Sequence, residues 1–335
     1  EAAGNEISRN KSICSASSAS TGIKLQQALR KFQIKFQQRV KSLGSGLGAG
    51  AVRNVSVLRK RLADFRARLG RFAALSKARV DTAKLLRTGG TLAMTFGEAI
   101  TGVSDSMLYM QRTSAAKAAA PPAGDCGQDL DLELMMADAS ANGRADPAFD
   151  AHKVPIATWA LAVWEGWIPM AMLEKITTDA INTLCKAKSV WAKVKGPAAA
   201  VVATAARIGW KTVNATTLIT DQGITLDLRL DPPKVVAQQV FDAVKRWRWR
   251  RLEKKHRRLT EGGVGRGAVM SPIWKLLRSK LQNETWNSGH RSALRSAIAN
   301  RQWSQSRCCA AGFVKHGKCL LCLDDILKQR HPHLT

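Results

Sequence analysis

Cys319 and Cys322 stand two residues apart, and after eight further residues comes His331. A Cys-x-x-Cys step delivers two thiolates to one metal ion from a tight turn. A His at this distance can fold back as third ligand, which is the chemistry of a zinc knuckle. No obvious fourth ligand follows His331 before Thr335. Cys309, His316 and His333 are the candidates, although the His331-Pro-His333 step is poor geometry for two ligands on one ion. Zinc is the expected cofactor. The run Asp129–Glu133, DLDLE, has carboxylates that would suit Mg²⁺, but so short an alternation reads more simply as a solvated turn or helix N-terminus. No Mg²⁺ site is assigned.

A second chemistry is carried by charge. The chain has 53 Lys and Arg against 25 Asp and Glu, a net charge of +28, so its expected partner is a polyanion: RNA, DNA or, as the alternative, an anionic membrane surface. Two stretches concentrate it. In the first, Arg53, Arg59, Lys60, Arg61, Arg66, Arg68 and Arg71 cover the outer faces of a helix over 52–75. Its apolar stripe is Val55, Leu58, Leu62, Phe65, Leu69 and Phe72. Arginine matches phosphate geometry better than a merely soluble surface requires. In the second, Lys245, Arg246, Trp247, Arg248, Trp249, Arg250 and Arg251 lead into Lys254, Lys255, Arg257 and Arg258. Cations interleaved with rings suit single-stranded nucleic acid, and the same composition suits an interfacial membrane helix.

The elements that would position these residues are helical. Ala, Leu, Arg, Lys and Gln dominate, and alternating β-type stretches are rare, so the fold class is mainly α. Apolar residues at Leu25, Leu29, Phe32, Phe36 and Val40 predict a basic amphipathic helix over 23–43, ended by a flexible glycine run, Gly44–Gly50. The organisation expected is a disordered N-terminus over 1–22, a basic helical region over 23–120 and an acidic linker over 121–150. A Trp-rich helical region follows over 151–260, then linker and helices over 261–307 and a partial knuckle over 308–335. The apolar stretch Pro155–Leu173 is long enough to cross a membrane, but Glu165 at its centre costs roughly 2.5 kcal/mol or more. It reads instead as a buried helix carrying a functional or capped Glu. An odd number of cysteines, seven, with four crowded into the last thirty residues, and no apolar leader point to a reducing, intracellular setting, nucleus or cytoplasm.

Several runs, in order, resemble one family. They are Arg87–Gly97 (RTGGTLAMTFG), Gly102–Ser106 (GVSDS), DLDLE, Asp146–His152 (DPAFDAH) and Trp159–Trp164 (WALAVW). Gly196–Ala200 (GPAAA), Leu226–Pro233 (LDLRLDPP), Ala310–Phe313 (AAGF) and the Cys319–His331 tail complete the set. Together they resemble the region downstream of the polymerase core in LINE-type, non-LTR retrotransposon reverse transcriptases of the dinoflagellate kind. The resemblance spans about 48–331. It implies a thumb-and-connection segment that grips template and primer, followed by a CCHC knuckle with Cys319, Cys322 and His331 as ligands. It does not imply catalysis by this chain. Such polymerases need an Asp-Asp turn and an upstream Asp around two Mg²⁺ ions. The one Asp-Asp pair, Asp324-Asp325, lies inside the knuckle loop. No other hydrolase or nucleotide-binding motif is present.

Overall fold

The computed structural model describes residues 12–16, 18–42, 44–49, 53–78, 80–119, 132, 145–255, 276, 286–298 and 305–315. Within them the protein is mostly helical. It opens with β1 (Ile13–Cys14), α1 (Ala19–Ala28) and β2 (Lys35–Phe36), the last parallel to β1. A hairpin of β3 (Arg39–Ser42) and β4 (Ser45–Gly48) leads to α2 (Ser56–Ala67) and α3 (Leu69–Lys77). A winding stretch then runs through α4 (Thr82–Leu85), a π-helical turn over Leu86–Gly90, α5 (Thr91–Thr95) and α6 (Glu98–Thr101). Next come α7 (Asp105–Ala119), α8 (Pro147–Trp164), α9 (Met170–Cys185), α10 (Val190–Lys193) and α11 (Pro197–Arg207). An antiparallel meander of β5 (Lys211–Thr212), β6 (Thr217–Ile219) and β7 (Thr225–Asp227) precedes the long α12 (Pro233–Lys255). Two further helices, α13 (Ser288–Ile298) and α14 (Gln305–Ala310), lie beyond it.

Helix α8 is the centre of the packing, with α12, α11, α6 and α7 laid against it. Its start is written in the sequence. Asp146 accepts from the Ala148 N–H at 2.9 Å, and Pro147 supplies a pre-set φ in the first turn. Ile156, Trp159, Ala160 and Val163 then bury themselves with Met94, Leu108, Val201, Trp210 and Val240 in one core. Each fully buried large aliphatic there contributes roughly 1.5–3 kcal/mol. The small residues Ala198, Ala200, Ala203 and Ala205 let α11 come close to α8 and α9. The Trp159 Nε1–H donates to the Ala215 carbonyl at 2.9 Å and ties the meander to the core.

Several expectations are revised. The helix expected over 23–43 gives way after Ala28 to a 3-10 turn over Arg30–Phe32, and Gln33, with a left-handed φ of 56°, then turns the chain into strands. The glycine run expected to be a flexible break supplies the turn and second strand of the hairpin instead. Gly44 sits at its turn with φ 81°, and β4 pairs with Arg39–Ser42. Glu165 is not buried: it ends α8 at the surface and accepts from Trp167 Nε1 at 2.6 Å. No helix among the described residues is long and apolar enough to cross a membrane. Most of the acidic stretch, with DLDLE apart from Leu132, lies outside the described residues. So do 1–11 and most of 256–285, while the rest of the N-terminus expected to be disordered over 1–22 carries β1 and the start of α1.

Candidate nucleic-acid interface

Helix α2 turns Leu58, Leu62 and Phe65 inward, which leaves Arg59, Lys60, Asp64 and Arg66 on its outer side. The hairpin lies along this helix, and α5 closes the other flank. Between them is an open cleft of about 370 Å³, lined by Lys41, Val57, Lys60, Arg61, Asp64, Phe65, Arg68 and Ala93. Four cations therefore face one carboxylate. Lys60 and Arg68 are exposed; Arg61 is half-buried and fixed. Its Nη2–H donates to the Gly44 carbonyl at 3.0 Å, and its guanidinium stands 4.8 Å from the centre of the Phe96 ring. Long cations held over apolar walls keep their charge available to a phosphate while their stems fill space.

Arg53 belongs elsewhere. Its guanidinium donates to the carbonyls of Thr101 at 2.9 Å, Gly102 at 3.1 Å and Trp191 at 3.1 Å, and it lies over the Trp191 ring. Burial, together with Arg59 nearby, lowers its pKa. It joins the start of α2 to the turn before α7 and to α10, so it is a structural cation.

The basic stretch of α12 is likewise drawn largely into the fold. Arg248 is buried, its Nε–H 2.7 Å from Asp146 Oδ2. Arg112 reaches the same carboxylate from α7, at 3.0 Å from Nε and 2.9 Å from Nη2. Burial alone would raise the Asp146 carboxyl, but these two guanidiniums hold it well below the usual carboxylate range. Arg246 grips Asp221 with two bonds of 2.8 and 2.7 Å, and Arg250 approaches the same group at 3.9 Å. Trp247 is half-buried against the core, its ring 5.1 Å from that of His152 and flanked by Arg112 and Arg251. Trp249 is half-buried, and Lys245 pairs with Asp242 at 3.3 Å. Lys254 and Lys255 are exposed at the helix end, and Arg257 and Arg258 lie outside the described residues.

Of the expected knuckle, Cys319, Cys322, His331, His316 and His333 also lie outside them. Cys309 sits half-buried beside Cys308 on α14. Among the described residues no group of three or more His, Cys, Asp or Glu is placed to hold a metal.

Four members of the cleft, Lys41, Val57, Asp64 and Ala93, escape a sequence reading. Lys41 was hidden by the expected helix, and Ala93 and Asp64 carry no signal of their own. The buried Asp146 network was legible in part. Asp146-Pro147 is a helix-start signature, and Arg248 falls in the four-residue row of Val236, Val240, Val244 and Leu252, the buried side of α12. No protein-family profile, curated protein or solved structure matches the chain.

Proposed function

We propose that the chain binds nucleic acid through the cleft between the β3–β4 hairpin, α2 and α5. The observation that carries this reading is the set of four cations, Lys41, Lys60, Arg61 and Arg68, converging on one open cleft in a molecule of net charge +28. Phosphate contacts of this type release counterions and weaken steeply with salt. The wider reading follows from the resemblance. The chain would be the template- and primer-gripping part of a LINE-type reverse transcriptase, with a zinc knuckle at Cys319, Cys322 and His331 and no polymerase chemistry of its own. The membrane-surface alternative rested on an exposed basic Trp helix, and α12 spends Arg246, Trp247 and Arg248 on internal contacts.

The test is a titration of labelled RNA and DNA strands across a series of salt concentrations. The double variant Lys60→Ala/Arg68→Ala should flatten the plot of log affinity against log salt by about two, one for each phosphate that no longer meets a cation. Its melting temperature should not fall below that of the parent, since both side chains are exposed. An affinity indifferent to salt in the parent chain would sink the reading.

A further inference from the structure

Beside the cationic cleft lies an apolar rim that the core does not use. Phe96 follows the last turn of α5, its N–H donating to the Leu92 carbonyl at 3.1 Å. Both side chains are turned out, Phe96 at 55% and Leu92 at 52% exposure. Ala93, between them in sequence, belongs to the cleft wall. The Phe96 ring is nevertheless not loose. Arg61 stands over it at 4.8 Å, and a Cβ added at Gly44 would come within 2.8 Å of its Cε1, so glycine at the hairpin turn lets the ring seat against the backbone. A positioned, half-exposed aromatic ring held by Arg61, itself one of the four cations lining the neighbouring cleft, is the arrangement that accepts an unstacked base with its phosphates alongside. A duplex would offer the same cations its outer phosphates but keep its base faces covered.

Resting on the proposed cleft, we propose that its ligand is a single-stranded segment, with one base stacked on Phe96 beside Leu92 and the neighbouring phosphates on Lys60, Arg68 and Lys41. Arg61 is a positioning residue, holding the ring and lending it charge. Selectivity for single strands comes from the ring and affinity from the cations.

The experiment compares a short oligothymidylate strand with a blunt duplex of equal length at one ionic strength. The parent, Phe96→Leu and Phe96→Trp chains are each titrated, and melting temperatures are taken alongside. Leucine fills the space without a π-face; tryptophan keeps one. The expected result is that the parent prefers the single strand, Phe96→Leu loses about tenfold on it, and Phe96→Trp retains it. Duplex affinity and the salt slope should not move in either variant. Equal affinity of both Phe96 variants for the single strand, while Lys60→Ala/Arg68→Ala still flattens the salt slope, would overturn this inference and leave the cleft standing. An equal loss on strand and duplex would likewise overturn it, marking Phe96 as a packing residue. No binding of either nucleic acid at low salt would remove both readings.

Discussion

At the scale of single residues, the buried polar groups decide how the molecule responds to pH. His152 is fully enclosed, its Nδ1–H donating to the Ala148 carbonyl at 2.6 Å. Burial, helped by the nearby positive charge of Arg207, pulls its pKa down to about 3. An unfolded His takes a proton near 6.5, so between these values the unfolded state binds more protons and stability falls as the pH falls. The loss reaches at most about 1.4 kcal/mol per pH unit. Asp146, held low by Arg112 and Arg248, adds a loss of the same sign, but only below about pH 4 where an unfolded Asp protonates. Glu98 has the opposite sign. Burial raises its pKa well above the usual range, so its contribution is complete below about pH 4 and fades as the pH rises through its folded value. Urea midpoints from neutral pH down to about pH 4 should therefore drop more steeply in the parent than in His152→Asn, whose amide can donate the same bond to Ala148. The difference between the two profiles isolates His152 from Glu98. Parallel profiles would mean that another group titrates.

At the scale of elements, joints matter more than propensity. Between α6 and α7, Gly102 adopts φ 57° and ψ −176°, a region open essentially to glycine. A Cβ there would also stand 3.0 Å from Trp191 Cζ3 and 3.3 Å from the Ala200 Cβ. Gly102→Ala should cost about 1–3 kcal/mol, read as a lowered denaturation midpoint, and an unchanged midpoint would show that the joint relaxes freely. The helical class and α2 with its inward Leu58, Leu62 and Phe65 were legible, because apolar period is local. The start of α8 at Asp146-Pro147 fell inside the expected acidic linker, although its capping chemistry is just as local. The hairpin was not legible. Val40 and Phe36 continue the four-residue steps of α1, and only the pairing of Val40 with Leu47 and of Phe36 with Cys14 reveals them as strand residues. Nor could composition tell the two basic helices apart. Arg248 and Arg246 resemble Lys60 and Arg68 until α12 is folded against α8 and the meander, where Asp146 and Asp221 claim them. The candidate site was thus half legible: the cations of α2 from their face, but not Lys41, which lines the cleft, or Phe96, whose ring stands against Arg61 beside it, since only the folded chain brings them there.

At the scale of the whole molecule, charge is divided between two uses. Among the described residues five aspartates are paired: Asp146 with Arg112 and Arg248, Asp221 with Arg246, Asp105 with Arg207, Asp227 with Arg229 and Asp242 with Lys245. The buried Asp146 pairs are shielded from salt, whereas the exposed groups are not, and the cations among them repel one another through water. The same repulsion that would draw in a polyanion therefore strains the folded state. At about 0.01 M salt the screening length is near 30 Å, and at physiological ionic strength it shrinks to about 8 Å. Adding salt over that range should raise the melting temperature of the free protein while it weakens nucleic-acid binding, two trends of opposite sign from one charge distribution. Circular dichroism melts run beside the binding titration would check this. A melting temperature that falls with salt would mean that exposed ion pairs outweigh the net repulsion. The +28 charge would then be arranged in compensating surface networks rather than gathered where a phosphate chain could meet it.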